Sequence, residues 1–321
     1  MKLSVFTVLL SGLPLDEALG FLKAQGVQAV EIGCGGFPGK AHCDPAELLA
    51  DKGKLRAFQD TIAKHGLEIA ALSVHGNAVH PDKAIAKAYH EDFEQAVRLA
   101  GELGVDRVVT FSGCPGGSPQ DSTPNWATCA WPEDFLKVLD YQWNDVLIPY
   151  WAKASAFAVE HGVKRIAFEM HPGFCVYNPE TMLRLRAAVG GVILGANVDP
   201  SHLFWQGIEP VEAIKALTGA IHYFHAKDTS LDHHNIAVNG VLDTKHYADP
   251  ARSWVFRTVG YGHDRLQWNN IISALRKAGY DDVVSIEHED AFMSAKEGLT
   301  KAIRFLQEVL IYEQPGEMYW A

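Results

Sequence analysis

Four apolar runs in the second half of this 321-residue chain each end in carboxylate and imidazole side chains, and no other feature constrains the fold as tightly. Arg165 to Pro172 reads Arg-Ile-Ala-Phe-Glu-Met-His-Pro. Its apolar body predicts a buried strand whose last residues, Glu169 and His171, emerge from the core. Val192 to His202 ends in Asp199-Pro-Ser-His202, Ile221 to Asp228 in His225-Ala-Lys-Asp228, and Val283 to Asp290 in Glu287-His-Glu-Asp290. A buried carboxylate without a partner is costly, so core packing does not account for four such endings. A shared cation does, with Glu169, Asp199, His225 and Glu287 as its expected ligands.

The rest of the chain supplies the frame. Lys2 to Leu10 is strand-like, and Leu15 to Gln25 has helical periodicity stopped by Gly26. Val27 to Ile32, Leu67 to Val74 and Arg107 to Phe111 read as further strands, followed respectively by helical stretches through Lys64, by Pro81 to Glu102, and by Asp134 to Tyr141 with Asp145 to His161. Helices are expected at Asn178 to Ala188, Pro210 to Leu217, Asn269 to Ala278 and Lys296 to Ile311, with a polar and aromatic tail over Glu313 to Ala321. Counting yields eight strand-helix units in one series with no composition break. The economical fold is a single α/β domain over residues 1–321, a (β/α)8 TIM barrel with insertions after strands four (to about Pro132) and seven (Thr229 to about Val259). In such barrels the loops after the strands form the active face, and the four ligands all sit there.

Composition removes several function classes. A formal charge of -11 repels phosphate backbones, so no nucleic-acid partner is expected. Five scattered cysteines, Cys34, Cys43, Cys114, Cys129 and Cys175, match neither a zinc ribbon nor a disulfide scaffold and fit a reducing, cytoplasmic compartment. Met1 to Leu13 lacks a signal-peptide cleavage site and reads as the first strand. No apolar run has the length of a membrane span, about 20 residues.

Three carboxylates and one imidazole form an oxygen-rich set without thiolate, which favours Mn2+, with Mg2+ or Co2+ as alternatives, over structural zinc. His171 and His202 lie close enough in sequence to the ligands to reach the same pocket and touch substrate. His75 and His80 are weaker candidates from the third loop, and Arg257, before Gly260-Tyr-Gly262, could bind a hydroxyl or carboxylate. Asp228 and Glu289 read as outer supports or solvated charges. The glycines of Gly33 to Gly39 and Cys114 to Gly117 match no phosphate loop and read as turns.

Glu169, Asp199-Pro-Ser-His202, His225-Ala-Lys-Asp228, Val259-Gly-Tyr-Gly262 and Tyr280-Asp-Asp-Val-Val-Ser-Ile-Glu287 together resemble the sugar isomerase/epimerase family of xylose isomerase-like barrels. The resemblance implies that Glu169, Asp199, His225 and Glu287 bind metal, that Glu169 and Glu287 also flank the reacting carbon as catalytic groups, and that His202 binds a substrate oxygen. The resemblance also matches Arg257, across the intervening insertion, to the family's substrate-binding arginine. The insertions bring Trp126, Trp131 and Trp254 to the active face, and Glu169-Met-His171-Pro places an imidazole beside a ligand. Both features also resemble the large subunit of bacterial C-glycoside deglycosidases, which implies a lyase acting on 3-oxo-C-glycosides with a small partner chain and His171 as acid or base. The expected activity is therefore proton abstraction next to the ketone of a sugar, leading to isomerisation or epimerisation, with that lyase as the alternative. An abasic-site endonuclease, a class this superfamily also contains, is disfavoured by the acidic charge, and a non-catalytic binding protein is the last alternative. The substrate is a small keto-sugar or 3-oxo-glycoside, and the assembly a homo-oligomer or a hetero-oligomer with a small subunit.

Overall fold

Side chains along a strand alternate between two faces, and in a closed barrel one face is the helix layer and the other the interior. In the strand Ala29–Gly33, Val30 and Ile32 join the large core beneath the helices while Ala29 packs inside the barrel. Arg165–Glu169 repeats this, with Ile166 and Phe168 in the outer core and Ala167 inside. Both faces are therefore dry, and any charged residue at an inward position must find a partner within the barrel.

The computed structural model describes residues 1–317. Eight parallel strands close the barrel: β1 (Lys2–Phe6), β2 (Ala29–Gly33), β3 (Glu68–Ser73), β4 (Arg107–Thr110), β5 (Arg165–Glu169), β6 (Leu194–Val198), β7 (Ile221–Ala226) and β10 (Val283–Ile286). β8 (Asp228–Leu231) and β9 (Trp254–Arg257) form a separate antiparallel pair, so the expected eight-strand barrel is observed with an additional hairpin in the second insertion. The lower interior is lined by Ala29, Ala71, Val109, Ala167 and Val283 around Tyr223. Small residues on most strands are what allow one phenol to fill that space. Above this layer the interior turns polar.

The expected elements recur with shifted ends. β1 stops at Phe6, paired with Glu31 of β2, and Thr7–Leu10 is a 3-10 helix rather than the end of the strand. The third helical stretch runs Lys83–Leu103. Its N-terminal amides at Ala84 and Ile85 are capped by the Asp82 carboxylate, and Gly104 at φ 68 ends it in the left-handed conformation that suits glycine. The two helices after β4 are one continuous rod, because a π-helical segment, Tyr141–Leu147, joins Asp134–Asp140 to Ile148–Glu160. The buried Gln142 amide of that segment donates to the carbonyls of Pro115 and Gly116 and ties down the first insertion. The helix expected at Asn269 begins earlier, as Arg265–Lys277, capped by Asp264. The tail reading extends into residues 318–321, which lie outside the described residues.

Asp228 is a buried hub. Its carboxylate accepts from the backbone N–H groups of Gly260 (2.9 Å), Gly262 (3.2 Å) and His263 (3.1 Å), from the Trp268 indole (3.1 Å), and contacts His263 Nδ1 at 2.8 Å. The Gly-Tyr-Gly motif follows from this: a Cβ on Gly262 would stand 2.3 Å from the Thr229 carbonyl and 2.5 Å from Asp228 itself. We predict that Asp228→Ala, which strands several buried donors, destabilises the fold by about 3 kcal/mol. A urea midpoint within experimental error of wild type would refute that.

Candidate metal centre

Inward-facing residues from four strands, two on the strands themselves and two just after them, meet at the C-terminal mouth of the barrel. Glu169 ends β5, Asp199 follows β6, His225 lies on β7 and Glu287 follows β10, and one ligand atom from each lies within 4.8 Å of the others. Asp199 spends Oδ1 on the amide of Ser201 (2.8 Å), capping the short helix Pro200–Phe204, and so leaves Oδ2 free. His225 points Nδ1 at Glu287 Oε2 (2.9 Å) and Glu169 Oε2 (3.5 Å). Asp199 Oδ2, His225 Nδ1 and Glu287 Oε2 are all buried without a hydrogen bond, the short His225–Glu287 approach included, which lacks hydrogen-bond geometry. Buried polar atoms are almost always satisfied, so three unsatisfied potential ligand atoms facing one point fit a bound cation. Among the described residues no cysteine joins them, and the donor set is that of a hard or borderline divalent ion.

The surrounding groups set the charge. Burial alone would raise the Glu169 carboxyl, but the imidazoles of His202, His225 and His75 hold it well below the usual carboxylate range. His202 Nε2 lies 2.9 Å from Glu169 Oε1 and His75 Nε2 lies 2.9 Å from Oε2. Asp199 is pushed up to about 6, chiefly by burial. Glu287 is held down at about 2: burial opposes this, and the Lys227 ammonium is the largest group overcoming it. His171 is pushed down to about 3 by burial and by the neighbouring His202, so its ring is neutral. Its Nδ1 lies 2.6 Å from the Pro172 carbonyl, which can only accept. Nδ1 therefore carries the proton and Nε2 is a free lone pair.

The structure thus gathers Glu169, Asp199, His225, Glu287, His171, His202 and His75 into one site. Arg257 is elsewhere engaged: its Nε donates to Asp290 (3.2 Å), its guanidinium lies over Tyr261 and Phe292, and it lines neither cavity at the mouth. His80 accepts from the amide of Asp82. Asp228 is the loop anchor described above, and Glu289 is a half-exposed partner of Lys227 at 2.9 Å. Two site residues escaped the sequence reading. Lys227 is 2% exposed, with its ammonium 3.5 Å from Glu287 Oε1 and 4.2 Å from the Phe256 ring centre. Glu31 is fully buried on β2 and contacts the far nitrogen of His225. A strict period-two count would have put both inside the barrel.

Two cavities open at this face. The inner one, about 210 Å³, is lined by His75, Glu169, His171, Lys227, Glu287 and aromatic side chains including Phe6 and Phe111. The outer one, about 530 Å³, shares His171, Tyr247 and Phe256 with it and is walled by Trp126, Trp205 and Trp254. Trp205 and Trp254 stack with ring centres 4.6 Å apart and planes 5° from parallel. Trp131 is 81% exposed and lines neither cavity. A groove of about 560 Å³ on the outside of the barrel, between Lys83–Leu103 and Ile148–Glu160, has no comparable convergence of buried polar atoms.

A closed parallel barrel with carboxylates and imidazoles converging on its C-terminal mouth defines a TIM barrel with a candidate metal site. The chain belongs to the xylose isomerase-like TIM barrel family, whose model matches residues 19–309. It is 39% identical over 313 residues to the uncharacterized protein YfiH of Bacillus subtilis (strain 168), covering 97% of this chain and 99% of that one. Among solved structures it resembles the IOLI protein with a bound zinc atom (TM-score 0.66, 21% identity, 97% of this chain and 98% of that one). It also resembles a D-tagatose 3-epimerase-like protein (TM-score 0.63, 19% identity, 96% of this chain and 98% of that one). At these identities the two structures testify to the fold alone.

Lys227 yields a prediction. Replacing it by Met leaves Glu287 and Glu289 without their shared cation, and we expect a loss of about 3 kcal/mol in urea unfolding at neutral pH. A loss under about 1 kcal/mol would show that other contacts hold Glu287.

Proposed function

We propose that this protein is a divalent-metal-dependent enzyme that removes a proton from the carbon next to the ketone of a sugar and returns it, an isomerase or epimerase. The observation that carries this reading is the set of unsatisfied buried ligand atoms, Asp199 Oδ2, His225 Nδ1 and Glu287 Oε2, gathered with Glu169 in a cluster within 4.8 Å. These four residues would hold the ion, and their oxygen-rich donor set makes Mn2+ the first choice, with Mg2+ or Co2+ as alternatives. A divalent ion bound there supplies Lewis-acid stabilisation of the negative charge that builds on oxygen when a neighbouring C–H bond breaks.

The protein's own groups do the rest. Glu169 and Glu287 come from strands on different sides of the barrel, so one carboxylate can take the proton from one face of the carbon and the other can deliver a proton to the opposite face. That sequence inverts the centre. Delivery to the adjacent carbon interconverts ketose and aldose. His202 and His75 each approach an oxygen of Glu169 at 2.9 Å, His202 with hydrogen-bond geometry, and each lines one of the two cavities, which makes them the substrate-binding candidates. Arg257 would reach a substrate only by giving up Asp290. Phe6 and Phe111 give the inner cavity dry walls, which strengthen every charge interaction inside it.

A second reading is favoured by the outer aromatic cavity, which meets the inner one at His171. A flat aglycone joined to a 3-oxo-sugar would suit those tryptophans. Loss of the proton from the carbon between ketone and aglycone-bearing centre would then expel the aglycone with its bonding electron pair. The free Nε2 of His171 makes it a base for that step rather than an acid. Such a lyase would copurify with a small partner subunit and release aglycone from a 3-oxo-C-glycoside, visible by chromatography.

The primary test is exchange of solvent deuterium into a panel of ketoses. We expect EDTA to abolish exchange, Mn2+ to restore it, and Glu287→Gln to lower it by about 100-fold or more. Exchange that survives the chelator would overturn the proposal.

A further inference from the structure

One carboxylate in the barrel has no part in the proposed chemistry and yet touches a proposed ligand. Glu31 sits on β2 at 0% exposure, where an ion is costly unless fully paired. Its oxygens are met from three other strands: the Ser73 hydroxyl of β3 donates to Oε1, the Ser285 hydroxyl of β10 donates to Oε2 at 2.7 Å, and Nε2 of His225 on β7 lies 3.0 Å from both. The opposite nitrogen of the same ring, Nδ1, faces Glu169 and Glu287.

Resting on the metal reading above, we infer that Glu31 is a positioning residue for His225: its carboxylate sets the tautomer and orientation that present the Nδ1 lone pair to a cation. A nitrogen held between two carboxylate oxygens must carry a proton, since neither oxygen has one to spare once both serine hydroxyls donate to them. The proton on Nε2 leaves Nδ1 as the acceptor, the atom the site needs. Ring rotation is limited on both sides. Phe6 lies over the ring at 6.0 Å with its plane tilted by 27°, and Tyr223 meets the ring edge-on at 5.7 Å. The serine hydroxyls in turn stop the carboxylate from rotating away. The negative charge behind the ring also makes Nδ1 a stronger donor to a cation, an effect of outer carboxylates that is worth about 10- to 100-fold in metal affinity.

A buried carboxylate could instead be simple polar filling, and the two roles separate in a pair of variants. Glu31→Gln keeps size and an acceptor for Nε2 but loses the charge. Glu31→Asp keeps the charge but fills the space less well. If Glu31 positions His225, titration calorimetry of the metal-free chain with Mn2+ will show Glu31→Gln binding about 10- to 100-fold more weakly, with Glu31→Asp recovering a large part of the loss. Long-range 1H–15N spectra of the Zn2+-loaded wild type will show His225 protonated on Nε2, with that signal broadened or moved in Glu31→Gln. A filling role gives the reverse order, Asp worse than Gln in both affinity and thermal melting. Equal Mn2+ affinity in wild type and Glu31→Gln overturns the inference while the metal reading stands. Should wild type take up no Mn2+, the metal reading falls and this inference falls with it. If Glu31→Gln fails to fold, the Asp variant and the wild-type spectrum decide, since a His225 protonated on Nδ1 alone in wild type is incompatible with the inference.

Discussion

The structure depends on a confined cluster of charge. Four carboxylates, Glu31, Glu169, Asp199 and Glu287, and four imidazoles, His75, His171, His202 and His225, share the upper interior of the barrel with Lys227, Ser73 and Ser285, above an apolar lower layer. In so dry a space each charge must be matched, and the matching is nearly complete: serines and His225 hold Glu31, imidazoles hold Glu169, and Lys227 holds Glu287. What is left over is a small set of acceptors aimed at one another. The rest of the fold can be viewed as what keeps them there despite their mutual repulsion.

That work is divided by layer. The lower interior, Tyr223 among small side chains, is packed and inert. The outer core of aliphatic residues from strands and helices supplies the stability that offsets the cost of the polar layer. The insertions add none of the four proposed ligands. They contribute to the aromatic wall, where Trp254 and Phe256 join Trp205, which follows the helix Pro200–Phe204, in a separate small cluster beside the mouth. Their shape is imposed from below, through Asp228 on the loop of Gly260 and Gly262 and through Gln142 on the loop of Pro115 and Gly116. The convergent polar groups and the aromatic wall thereby come from different parts of the chain, the first from strand ends and the second largely from loops.

Much of this was legible in the residues alone. Glu169, Asp199, His225 and Glu287 could be read as one group because each closes an apolar run, and a run that ends in a carboxylate has few explanations. Glu31 was hidden because it lies within a short strand, Ala-Val-Glu-Ile-Gly, where a carboxylate resembles an exposed position. Lys227 was hidden by adjacency, sitting between a proposed ligand and the loop anchor. Arg257 shows the opposite failure: chemistry suggested a substrate contact, while the hairpin hands its guanidinium to Asp290. Trp131, read as part of the active face, is exposed outside both cavities because nothing in an irregular insertion specifies where an aromatic side chain points.

The sequence by itself determined the series of strand-helix units, the right-handed crossovers that close such a series into a barrel, and the identity of the groups at the strand ends, because period and apolarity are local properties. Only the tertiary structure decided which nitrogen of His225 faces the ligand cluster, which carboxylate stands behind it, and which loop residues meet to form two joined cavities. Those depend on contacts between strands up to 254 residues apart, such as Glu31 with Ser285, and no local pattern encodes them.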